Sequence, residues 1–217
     1  MLRRLLRDQS GSSILEFAAM LPVLALLYLG GYEISDMIAC NRKVGISARS
    51  LTDLASRSLS PSAIQASPST ASGTTIMSAS AIALTPYDQG SAQEQIALLR
   101  VCDASHAYVI WANAQTQTTG GTVTAVTPTL TAGTLTAASV ISIPSSMITP
   151  AMVPTSPDGS DICSNFAPST TMTYQVGTTG NYLFMGQISY SYRSIPNYFL
   201  TTIMPMTYTL YMSPRLN

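Results

Sequence analysis

The sequence predicts an α+β protein: a long N-terminal helix that crosses a membrane, then a short helix and an antiparallel β-sheet. Three observations carry this. Residues 14–32, ILEFAAMLPVLALLYLGGY, are apolar apart from Glu16. Past residue 105, runs rich in Val, Ile, Thr and Tyr alternate with Gly, Pro and Ser clusters, the pattern of strands and turns. Charge is scarce and uneven: charged residues make 9% of the chain, against roughly 25% in average soluble proteins. Seven of the ten cations lie in residues 1–57.

The composition excludes several classes. The chain has 217 residues, ten cations balanced by ten anions, and one histidine. That gives no basic surface for nucleic acid and no multi-histidine metal site. Three cysteines do not make a disulfide scaffold. No phosphate loop, dinucleotide fingerprint, HExxH or CxxC occurs, and no catalytic, cofactor-binding or metal residue is assigned. Ser and Thr supply 55 residues, which suits an exported chain.

The first helix follows from residues 1–32. The apolar run is nineteen residues, about 28 Å as a helix, close to bilayer thickness. Arg3, Arg4 and Arg7 precede it and hold the N-terminus in the cytoplasm, so the remainder is exported. A plain single-pass anchor, a cleaved signal peptide and a prepilin-type leader all fit this outline. Glu16 separates them. A carboxylate in an apolar run costs about 2.5–3.5 kcal/mol at a helix centre, less near its end. An anchor has no use for it and a signal peptide avoids it. In a prepilin, cleavage after Gly11 makes Ser12 the new N-terminus and Glu16 its fifth residue. The carboxylate can then meet the free amine of a neighbouring subunit.

The string Arg7-Asp8-Gln9-Ser10-Gly11-Ser12-Ser13-Ile14-Leu15-Glu16-Phe17-Ala18-Ala19-Met20-Leu21-Pro22, with Glu33 after the apolar run, resembles the TadE-like minor pilins, or pseudopilins, of tight-adherence (Tad, type IVc-like) pili. The end of the chain also resembles that family: Ile188 to Pro196, a gap, then a strand closing at Ser213-Pro214-Arg215. The resemblance covers about residues 3–58 and 182–216 and leaves 60–181 without a counterpart. It implies a pilin-like fold and a structural subunit, not an enzyme. It implies processing at Gly11 and Ser12 by a prepilin peptidase, and assembly through Glu16, Phe17 and Pro22. The implied partners are a second minor pilin, the major pilin and the inner-membrane assembly platform. The implied location is the inner membrane with a periplasmic C-terminal domain, then the pilus or cell surface. The alternative is a membrane-tethered extracytoplasmic binding module that enters no filament.

The elements then follow in order. Residues 1–11 are the leader and 12–59 the transmembrane and stem helix. Pro22 removes a backbone donor and predicts a kink. Ile34, Ile38, Val44, Leu51 and Leu54 predict the stem's buried stripe, with Arg49–Asp53 as an i, i+4 pair. Residues 60–217 form the exported domain, beginning with a Ser- and Pro-rich linker over 60–75. Ser91-Ala-Gln-Glu94 is a capping-box pattern and predicts a short helix to Cys102. Strands are expected over His106–Thr118, within 122–143, over Thr171–Val176, Tyr182–Arg193 and Met206–Met212. Residues 144–170 hold five prolines and predict a long loop. A Cys102–Cys163 disulfide would tie that loop to the helix in an oxidising compartment; two buried thiols are the alternative.

Four weaker signals remain. Cys40 ends a faint lipobox, Met37-Ile-Ala-Cys, or is a small residue on the stem. Asp103, Ser105 and His106 are neighbours in sequence, not a converging triad. Asp158-Gly-Ser-Asp161 reads as a turn, too poor in ligands for calcium. Tyr190 and Tyr192 share a strand face, suiting either a contact surface or sheet packing.

Overall fold

The computed structural model describes residues 12–58, 70–101, 104–117, 122–131, 139–153, 182–193 and 203–214. Helix α1 (Ser12–Ser58) runs 47 residues, through Pro22, or about 70 Å. Helix α2 (Thr70–Ala81) follows. Strands β1 (Ala92–Val101), β2 (His106–Gln117), β3 (Val123–Val126), β4 (Val140–Ser142), β5 (Tyr182–Tyr192) and β6 (Met204–Met212) complete the elements. They form one sheet in the order β3-β2-β1-β5-β6, with β4 on the same edge of β2 as β3 but at its other end. Every pairing is antiparallel. The α+β architecture is therefore as the sequence predicts.

The C-terminal half of α1 covers one sheet face. Its buried stripe is Cys40, Val44, Ala48, Leu51 and Ala55, at the three- and four-residue spacing of one helix face. These meet Ile96 and Leu98 of β1, Phe184 and Ile188 of β5, and Trp111 of β2. Ile34 and Ile38 of the predicted stripe are exposed instead. Most of the stripe is small, which lets the helix axis approach the strands. Gly186 of β5 makes the closest approach possible: a β-carbon there would collide with Thr52 Oγ1 and lie 3.3 Å from the Thr52 nitrogen. Thr52 Oγ1 donates within the helix to the Ala48 carbonyl at 2.7 Å, so no hydroxyl is stranded in this contact.

The other sheet face carries Ala97, Leu99, Val101, Val109, Leu183 and Met185. It is covered by the segment after β4, where Ile143 before the first of two single 3₁₀ turns, Ile148 between them and Met152 in the second are buried. The described part of the Pro-rich loop thus serves as a lid of apolar anchors.

Two predicted elements differ. The segment expected as a helix over 91–102 is β1, the central strand. Its residues favour a helix in isolation, but two neighbouring strands and cover on both faces override that preference. The N-cap signal is a turn: Asp88 accepts from the Gly90 amide at 3.1 Å and from Ser91 Oγ at 3.0 Å. The short helix lies earlier, and residues 70–75 of the expected linker belong to it. Its sequence, TASGTTIMSASA, is a poor helix former. Ile76, Met77 and Ala81 hold it by burial. The strand expected at Thr171–Val176 lies outside the described residues.

Candidate functional site: the projecting helix and its junction with the domain

Every residue from Ile14 to Tyr32 is exposed except Leu29, which is half-exposed. Ile14, Leu15 and Tyr28 keep about three-quarters of their surface free, at 74%, 75% and 75%. The helix is long and apolar enough to cross a membrane, alone in this among the described residues. Glu16 and Phe17 both lie on this projecting part, and Phe17 is 63% exposed. Pro22 lies within the helix, six residues past Glu16. Ser12 begins the helix, while Gly11 lies outside the described residues, as do Cys102 and Cys163.

Where the projecting half meets the domain, burial begins with Glu33. One turn on, Asp36 receives two phenols. Tyr87 donates to Oδ1 at 2.9 Å and Tyr192 donates to Oδ2 at 2.7 Å. Burial, then the bonded carboxylate, holds both phenols well above the ordinary tyrosine range. Both therefore stay protonated donors at any physiological pH. The two tyrosines come from the turn before β1 and from the end of β5, so the pair clamps stem to domain. Tyr190 packs edge-on to Tyr87 with ring centroids 6.5 Å apart. Tyr190 and Tyr192 are both 5% exposed. They form no contact surface of their own, because their shared face lies under α1.

Cys40 is a core residue in mid-helix, and burial, with the Asp36 charge, pushes its thiol up to about 11. An inert buried thiol is the reading the structure supports. Ser105 Oγ and His106 Nδ1 stand 3.0 Å apart, since Ser105 lies in the bend before β2 rather than in the strand. That contact is confined to one dipeptide. Asp103, Asp158 and Asp161 lie outside the described residues.

A buried carboxylate sits below the clamp. Glu94 of β1 is 1% exposed. Ser80 Oγ of α2 lies 2.9 Å from Glu94 Oε1 and 2.8 Å from the Met77 carbonyl, so one hydroxyl hydrogen faces two acceptors. Gln115 Nε2 donates to Oε2 at 3.3 Å. Ser80 can therefore donate fully to only one of its two acceptors, which weakens its support of a charged Glu94. Burial accordingly pushes its carboxyl up to about 7, against the lowering by these two hydrogen bonds. Ser47 of α1 donates to the Ser80 carbonyl at 2.7 Å, which joins both helices to this network.

Sequence reasoning missed the Asp36 clamp and Glu94. Asp36 stands four residues past the apolar run, and the tyrosines that reach it are 51 and 156 residues away. No local pattern carries such a pairing. Comparison with protein-family models, with characterised proteins and with solved structures finds no match to the chain.

Proposed function

We propose that the chain is a minor pilin, or pseudopilin, of a Tad-type pilus. It is processed after Gly11 by a prepilin peptidase, then helps initiate assembly or forms the pilus tip, contributing to adhesion. The observation that supports this best is the projecting half of α1. Nineteen residues with one carboxylate, Glu16, stand clear of the chain's own domain and continue into a stem fastened to a sheet. Such a segment fits lipid before assembly and neighbouring helices after it. Glu16 then pairs with the Ser12 amine of an adjacent subunit, and Phe17 packs between helices. Pairing offsets the cost of the charge in an apolar setting and selects one helix register. The six-stranded sheet supplies the displayed domain. The partners on this reading are another minor pilin, the major pilin and the inner-membrane platform.

The test is the intact mass and N-terminal residue of protein purified from native membranes. The expected chain begins at Ser12, and begins at Met1 when the peptidase is deleted. Glu16→Leu should leave the membrane level unchanged and remove the protein from sheared pili. A chain still beginning at Met1 in cells with an active peptidase overturns the reading and leaves a membrane-tethered binding module.

A further inference from the structure

Strand β6 is an edge. Among the described residues it pairs only with β5, and no described strand takes the outer row of its backbone groups. Such edges are commonly blunted with charge or proline. Here Pro205 stands near the start, and Met206–Met212 carries no charge. Beside the edge runs a groove between β6 and α1. Tyr208 forms its floor, with its ring against Gly45, where a β-carbon would lie 3.6 Å away. The wall is one helix stripe, Arg42, Ile46 and Arg49, all exposed. Ile46 leaves 54% of its surface free. Neither arginine has a polar partner among the described residues. Asp53, next on the stripe, is taken by Arg57 at 3.1 Å.

We propose that the open edge of β6 and the Arg42–Arg49 wall form a docking groove for an acidic, extended segment of a partner protein, which adds to β6 as a further strand. Main-chain pairing supplies the affinity and alternate side chains the selectivity, as in other strand additions. Side chains on one face of the added strand repeat at about 7 Å. The arginines are about 10 Å apart along the helix, within reach of neighbouring carboxylates on that face. An apolar residue between them meets Ile46 and Tyr208. A protein partner suits the groove better than lipid headgroups, because Arg42 and Arg49 lie about 15 and 25 Å beyond Tyr32, where the apolar run ends. The inference does not depend on the chain entering a filament.

The experiment uses the full chain in detergent micelles and short fluorescein-labelled peptides, read by anisotropy. One peptide alternates Glu with Val and Thr, a second replaces Glu with Lys, and a third is the acidic peptide with a central Pro. The acidic peptide should bind, and R42E/R49E should weaken it by about tenfold or more. The Lys peptide should bind only R42E/R49E, and the Pro peptide should bind neither. Fluorescence of the single tryptophan, Trp111, shows that the variant is folded. The proposal is overturned if no peptide binds, if R42E/R49E binds the acidic peptide equally well, or if the Pro peptide binds like its parent. It is also overturned if R42E/R49E loses only binding to phosphatidylglycerol vesicles.

Discussion

Along α1, residues 14–32 and residues 40–55 meet opposite surroundings. The first stretch carries large apolar side chains such as Leu15, Phe17, Leu24 and Leu27, all exposed. The second buries Cys40, Val44, Ala48, Leu51 and Ala55, with Ser47 and Thr52 among them. The more apolar half is thus the one that its own domain leaves uncovered. Burial against a sheet rewards small side chains that bring the helix close, provided each hydroxyl finds an acceptor. A segment made for lipid or neighbouring helices needs apolar bulk instead.

The same kind of truncation should therefore act differently in the two halves. Leu51→Ala removes a fully buried side chain and should cost about 4 kcal/mol in urea unfolding of the detergent-solubilised protein, followed by Trp111 fluorescence. Leu24→Ala should change the same transition by less than about 0.5 kcal/mol. Equal effects would break the distinction between the halves.

The next test concerns the polar floor under the buried half. The Glu94 carboxyl is raised to about 7 by burial, from an unfolded value near 4.5. The folded state therefore holds more protons than the unfolded state between those values. The contribution of Glu94 to stability should be greatest below about pH 4.5, fall as pH rises toward 7 and level off above, a swing of up to about 3 kcal/mol. Glu94→Gln should flatten this contribution, seen by comparing urea midpoints near pH 5 and pH 8. An unchanged slope in the variant would show that Glu94 titrates normally.

The clamp at the boundary comes next. Asp36→Asn removes a charged acceptor from two phenols and should cost about 2 kcal/mol in the same unfolding experiment. In Tyr87→Phe/Tyr192→Phe the further cost of Asp36→Asn should shrink, which a mutant cycle reads directly. The smallest effect belongs to the exposed pair: Arg57→Ala should cost less than about 0.5 kcal/mol, and less still at high salt.

Much of the fold was legible in local pattern. The predicted strand His106–Thr118 matches β2 to within one residue, and Tyr182–Arg193 likewise matches β5. Both carry β-branched and aromatic residues bounded by turns. The helix extends to Ser58, as its continuous pattern predicts. The failures share one cause. AQEQIALLRV of β1 and TASGTTIMSASA of α2 have local preferences opposed to their final states. Each is settled by what lies on either side of it. Arg49 was expected to pair with Asp53, yet Arg57 takes that carboxylate, a choice between neighbouring turns that spacing cannot make. Of the candidate site, the apolar segment and Glu16 could be read directly, because a membrane span is a property of consecutive residues.

By itself, then, the sequence determined the α+β fold class, the membrane-length helix and the strands whose residues prefer strand in isolation. The sequence placed Val44 and Leu51 on the buried face of the stem, but only tertiary structure left Ile34 and Ile38 outside it and brought Thr52 against Gly186. Tertiary structure alone brought Tyr87 and Tyr192 onto Asp36, and set Glu94 in the core between Ser80 and Gln115. It also left the edge of β6 beside Arg42 and Arg49, which have no polar partner among the described residues. The physical reason is range. Hydropathy and backbone preference act over a few neighbouring residues, whereas close packing and the need to satisfy buried polar groups join residues distant in the chain.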